Sequence, residues 1–258
     1  MANAVSRKTS VELKTKAEID LMRAAGWLAG LTLKEVAKAI QPGVSTRELD
    51  KVAEDFIRKN GGKPTFIGYR GYPASLCVSI NDEVVHGIPG PRKVKAGDVV
   101  SLDVAATVDG FVGDTALTVT VPPVSKHIEK LVRVTEQSLK AAIDTMTVGK
   151  RLGDIGWAVQ NVAESNGFGV VRDFVGHGIG RRMHEEPAVA NYGNPGTGLR
   201  LEPGLVLAVE PMVTMGDWHV RVLKDGWTVV TEDGSMAAHF EHSIAITEDG
   251  PIVLTQVE

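Results

Sequence analysis

The feature that most constrains this chain is a repeat: its helix and strand signals are written twice, about 106 residues apart. Thr15-Lys-Ala-Glu18 has capping-box spacing and opens a helix expected to run to about Ile40. Pro42-Gly43 breaks it, and Ser45-Thr-Arg-Glu48 is a second capping box. Leu49, Val52, Ala53, Phe56 and Ile57 then fall at core-facing helical spacing before Asn60-Gly61-Gly62 stops the helix. Further on, Gly149 repeats Gly43, and Ile155, Ala158, Val159, Val162 and Ala163 repeat the second helix's apolar positions. Asn166-Gly167 repeats its stop, and a helical candidate over Ser125–Asp144 precedes it. The strands keep almost the same offset: Gly97 and the apolar run to Asp103 parallel Gly204 and the apolar run to Glu210. Any one of these pairings is generic, but a constant offset across helices, breaker, strand and acid is not. The sequence therefore predicts an α+β chain of two pseudo-twofold-related halves, about 15–121 and 122–258. They form a single domain behind a flexible tail over 1–14. An acid at equivalent strand positions in both halves predicts one site on the axis.

Composition narrows the class. With 258 residues, 43% of them hydrophobic, the chain can bury a large core, and a net charge of -4 gives no basic field for nucleic acid. The single cysteine, Cys77, rules out an internal disulfide and fits a reducing, cytoplasmic setting. No apolar run reaches the length of a membrane span, and Met1–Thr15 lacks the apolar centre of a signal peptide.

The chemistry concentrates in Ser101–Val121. Val99–Val108 and Phe111–Val121 are strand-like and flank Asp109-Gly110, the favoured two-residue hairpin turn. That turn sets Val108 opposite Phe111, Ala105 opposite Asp114 and Asp103 opposite Ala116. Asp103 and Asp114 become diagonal neighbours on one face, roughly 7 Å apart at the backbone. One isolated acid pair on a hairpin is more often a solvated face. Here two more acids, Glu210 in Val206-Leu-Ala-Val-Glu-Pro211 and Glu241 in His239-Phe-Glu-His-Ser243, also sit in apolar strand-like runs. Acids embedded that way need pairing or a metal.

His177 lies in Gly176-His-Gly-Ile-Gly180, whose spacing is not that of a dinucleotide loop. No HExxH helix, CxxC pair or GxSxG elbow is present, which removes the commoner zinc and serine-hydrolase readings. Four carboxylates and one neutral imidazole balance two divalent cations, and an oxygen-rich set with one nitrogen suits Mn, Co, Fe or Zn. Such a pair, roughly 3.5–4 Å apart, acidifies a bridging water and clamps a carbonyl oxygen.

Taken together, the motifs resemble type I methionine aminopeptidase from about residue 15 onward. They are Gly68-Tyr-Arg-Gly-Tyr-Pro73, Val85-His-Gly-Ile-Pro89, Leu102-Asp103 with Gly113-Asp-Thr115, Gly176-His-Gly-Ile-Gly180, Met183-His-Glu-Glu-Pro187, Val209-Glu-Pro-Met212, Lys224-Asp-Gly-Trp227 and Phe240-Glu-His-Ser243. The resemblance implies the pita-bread fold and hydrolytic removal of an initiator methionine from nascent chains when the second residue is small. It implies that Asp103 chelates one metal, Asp114 and Glu241 bridge both, and His177 and Glu210 hold the second. Glu210 would shuttle the proton, His86 would lie near the scissile amide, and His184 would stabilise the tetrahedral intermediate. Tyr69, Tyr72, Cys77, Met183 and Trp227 would form the methionine pocket, with Phe66 nearby. Met183 stands where the family motif leads one to expect phenylalanine. A cytoplasmic monomer with transient ribosome contact, and no membrane or nucleic-acid partner, completes the expectation.

Two other readings compete with this one. An Xaa-Pro-specific aminopeptidase of the same fold usually carries a large extra N-terminal domain, which is absent here. A non-catalytic pita-bread binding module loses ligands, and all five are present. His127, His219 and His239 match no motif and read as structural, and His242 receives no role.

Overall fold

A computed structural model describes residues 11–257. Both expected capping boxes form: Thr15 with Glu18 opens α1 (Lys16–Ala39), and Ser45 with Glu48 opens α2 (Thr46–Lys59). Ser125 caps α3 (Lys126–Thr145), and the Asp154 carboxylate accepts the Arg151 N–H at the start of α4 (Leu152–Ser165). The two helix pairs thus recur at the offset read from the sequence.

Asp109 and Gly110 take φ values of 48° and 79°, the left-handed pair that a two-residue turn between right-twisted strands requires. The turn joins Val99–Val108 to Phe111–Thr120 in the expected register, with Val108 opposite Phe111, Ala105 opposite Asp114 and Asp103 opposite Ala116. On its other edge Val99–Val108 pairs with Lys63–Pro64 and Cys77–Ile80, which sets Cys77 directly beside Asp103. In the second half, Val206–Val209 lies between His242–Thr247 and Gly176–Gly178. Gly250–Val253 and Glu185–Val189 complete that five-stranded antiparallel sheet.

Packing follows the duplication. One hydrophobic cluster has its buried members only between Leu28 and Val121, and another only between Leu131 and Ile246. A third mixes the halves, joining Phe66, Tyr72 and Cys77 to Ile179, Met183 and Val206. The halves are stitched where Ala116 and Glu241 exchange backbone hydrogen bonds of 3.3 and 3.0 Å. Helix α1 presses on the hairpin at Gly113, where a Cβ would lie 2.3 Å from the Gly26 nitrogen. Glycine alone permits that approach, and it fixes the strand one residue before Asp114.

Of the tail expected over 1–14, residues 1–10 lie outside the described residues. Its last residue is held rather than free: Lys14 N–H donates to Gly204 O at 2.6 Å. Its buried Nζ lies 2.8 Å from Glu185 Oε2. Among the described residues no helix is long and apolar enough to cross a membrane.

Candidate metal centre

The centre is assembled at the seam of the two halves. Asp103 and Asp114 come from the hairpin, Glu241 from the Ala116 bridge, Glu210 from the end of Val206–Val209, and His177 from the strand beside it. Ser243 clamps Asp114 on both sides: its Oγ accepts the Asp114 N–H at 3.0 Å and donates to Asp114 O at 2.8 Å. The Thr115 hydroxyl donates to Glu241 O at 2.8 Å. The backbone under the acids is therefore fixed, while one carboxylate oxygen each of Asp103, Asp114 and Glu241 is buried without a hydrogen-bond partner.

Ligand atoms of Asp114, His177 and Glu241 all lie within 4.8 Å of one another. Glu210 Oε1 is 3.7 Å from His177 Nε2, and the Asp103 and Asp114 carboxyl groups are in hydrogen-bond contact. His177 Nδ1 lies 2.9 Å from Gly178 O, so it carries the proton and leaves the Nε2 lone pair facing the acids. Asp103 Oδ1, Asp114 Oδ1 and Glu241 Oε1 are buried with no hydrogen-bond partner. Orphaned carboxylate oxygens beside a correctly presented imidazole fit a divalent cation, and among the described residues no lysine or arginine forms an ion pair with these acids.

Lost hydration, followed by repulsion from neighbouring acids, holds Asp103, Glu210 and Glu241 well above the usual carboxylate range. Burial also pushes Asp114 up to about 7 and His177 down to about 4. A carboxyl group raised from 3.8 to about 7 contributes stability below the lower value and loses it as pH rises through the higher one. Metal-stripped protein is therefore expected to lose thermal stability across that window, because ionising the cluster opposes folding. An added divalent cation should raise the melting temperature more at pH 7.5 than at pH 5, where it must displace protons. Equal gains at both values, measured by calorimetry, would remove these acids from cation binding.

The residues expected on the substrate side line the same cavity, of about 110 Å³, as the four acids and the imidazole. Phe66, Tyr69, Tyr72, Cys77, Met183 and Trp227 form its apolar wall. Tyr72 turns its hydroxyl away to Leu76 O and Gly87 O, leaving its ring to the cavity. His86 has a left-handed φ of 61°, and its ring stands edge-on to Trp227 and Phe174. Burial, with His184 next, lowers His86 to about 4. The His184 ring opens to solvent on one side, yet desolvation, His177 and Arg70 lower it to about 3. Both side chains are neutral at pH 7.

All the residues expected at the site are brought together, and three more join them. Buried His239, read as structural, places Nε2 3.9 Å from Glu210 Oε2, and neither ring nitrogen has a hydrogen-bond partner. Strand alternation was the available signal, since His239 and Glu241 are two residues apart and share a face. Asn191 Nδ2 donates to Glu210 O at 3.0 Å, and Phe174 packs on His86; neither lies in a recognisable motif. His219 pairs with Asp217, and His127 packs on Phe168, both away from the acids. His242 Nδ1 lies 2.8 Å from the Thr255 hydroxyl.

Residues 20–248 match metallopeptidase family M24. The chain is 50% identical over 246 residues to methionine aminopeptidase of Clostridium perfringens, covering 95% of this chain and 99% of that protein. It is 50% identical over 244 residues to methionine aminopeptidase 1 of Bacillus subtilis, covering 95% and 98%. A crystal structure of methionine aminopeptidase from Thermotoga maritima superposes with a TM-score of 0.94 at 48% identity, covering 96% of this chain and all of that one. A prolidase from Pyrococcus furiosus superposes at 0.77 with 21% identity, covering 95% of this chain and 66% of that one, a likeness of fold alone.

Proposed function

The chain belongs to metallopeptidase family M24, among its methionine aminopeptidases, and from that premise we propose how its own residues release an N-terminal methionine. It is a metal-dependent peptide hydrolase with the pita-bread fold. The observation that carries the site assignment is the set of orphaned carboxylate oxygens opening into a cavity whose other wall is aromatic and sulfur-bearing.

In this reading Asp103, Asp114, Glu241, His177 and Glu210 would hold two divalent cations. Bound there, the cations would acidify a water and polarise the scissile carbonyl. Cys77 is in register with Asp103, so the pocket floor and a metal ligand are adjacent on paired strands. An unbranched thioether held by Tyr72, Cys77, Met183 and Trp227 would present its amide to the acids. Neutral His86 and His184 donate hydrogen bonds, the first near the amide nitrogen and the second to the oxygen that gains charge. Glu210, ionised, would take a proton from the attacking water and deliver it to the amine nitrogen as the C–N bond breaks. The substrates are the N-termini of nascent chains in the cytoplasm, with a small residue after the methionine.

The test is release of free methionine from Met-Ala-Ser by chelator-stripped protein, before and after Mn, Co, Fe or Zn is restored. Activity that appears only with metal supports the reading. Hydrolysis of Xaa-Pro peptides in preference to Met-Ala-Ser, or none with any metal, overturns it.

A further inference from the structure

As part of an apolar wall, Tyr69 would need only its ring, yet its hydroxyl is engaged. Oη lies 2.8 Å from His184 Nδ1, and the two rings stack at 14° with centroids 5.4 Å apart. The segment beneath is a tight turn, with Gly68 at φ 80° and Arg70 at φ 49°, and the Arg70 guanidinium lies over the Tyr69 ring. Tyr69 is thus held by a cation against its ring and by His184 at its hydroxyl.

The direction of this hydrogen bond follows from acidity. A phenol, with a pKa of about 10, is a far better acid than a neutral imidazole N–H. The imidazole nitrogen, whose conjugate acid has a pKa of about 6.5, is in turn a far better base than a phenol oxygen. The O–H therefore donates and Nδ1 accepts. A neutral imidazole carries one proton, which is left on Nε2.

We infer that Tyr69 is a positioning residue that fixes the tautomer and ring plane of His184, keeping an Nε2–H donor in place for the oxygen of the scissile carbonyl. The other tautomer would present a lone pair to a developing negative charge and repel it. This deepens the reaction proposed above and rests on it, although the tautomer itself can be observed without turnover.

Tyr69→Phe keeps the ring and removes only the hydroxyl. With Met-Ala-Ser and metal-loaded enzyme, kcat should fall roughly 10-fold or more, a fraction of what one direct stabiliser supplies. KM should stay within about 3-fold, since the apolar wall is unchanged. In a His184→Ala background the same change should alter kcat by less than about 2-fold, because its route is gone. Nitrogen-15 spectra of histidine-labelled, metal-free protein, with His184 assigned by its loss in His184→Ala, should show Nε2–H in the parent and mixed tautomers in Tyr69→Phe. A rise in KM alone, an equal kcat loss in both backgrounds, or an Nδ1–H tautomer in the parent would each overturn the inference. Absence of any methionine release would instead sink the proposed function, while the spectra still report on the tautomer.

Discussion

Asp114→Asn is expected to lose its metal and at least about 10³-fold in kcat/KM while keeping its fold. That exceeds the roughly 10–100-fold that follows loss of a group behind the ligands, because Asp114 is itself a proposed bridge. The substitution is isosteric. The backbone at Asp114 is held on both sides by Ser243, whose two hydrogen bonds do not involve the carboxylate. Burial pushes the acid up to about 7, so at pH 7.5 its carboxylate is ionised at a cost that the amide does not carry. Removing one charge from four crowded carboxylates should therefore raise the metal-free melting temperature at pH 7.5, while the metal-dependent increment disappears. Opposite signs for metal-free stability and activity separate a lost ligand from a damaged fold. Near-normal turnover in metal-buffered assays, with stoichiometric metal by elemental analysis, would defeat the bridging assignment, and Glu241→Gln provides an independent trial.

The parts of this site that were legible in the sequence are those set by short-range rules. A two-residue Asp-Gly turn leaves one register for its hairpin, so the Asp103 and Asp114 diagonal followed from the turn alone. The repeat located Glu210, because a strand ending in an acid occurs at one offset from its twin. Which acid would bridge and which would chelate rests on the resemblance, since no local rule orients a carboxylate across an interface. His239 has no motif, and its meaning depends on Glu210 arriving from a different strand. Lys14 read as part of a solvated tail. Its partner Glu185 is 171 residues away, and a buried ion pair of that span leaves no mark in local composition. Tyr69 and Tyr72 looked alike as pocket aromatics. Structure separates them by where the hydroxyl goes: to His184 for Tyr69, and to backbone carbonyls for Tyr72.

The second large effect concerns the residue after the methionine. The cavity of about 110 Å³ is bounded by the acid cluster and by the apolar wall proposed to hold the methionine. Its boundaries are stiff: His86 is strained at φ 61° and braced by Phe174 and Trp227, and Met183 packs in the cluster shared by both halves. A side chain larger than alanine or serine at the second position must displace these groups or pull the amide off the acids. Misplacing reacting atoms costs turnover as well as affinity. kcat/KM for Met-Leu-Ser is therefore expected to be at least about 10²-fold below that for Met-Ala-Ser, more than the roughly 10-fold lower bound for one methylene. Leucine isolates the steric cause. Lysine adds a cation beside bound divalent ions, so Met-Lys-Ser should be slower again at low ionic strength and recover partly with salt. The series Met-Xaa-Ser with Gly, Ala, Leu and Lys, read as methionine released under first-order conditions, measures both terms. If Met-Leu-Ser is cleaved as fast as Met-Ala-Ser, the cavity does not limit the second residue, and selection for small residues must come from elsewhere.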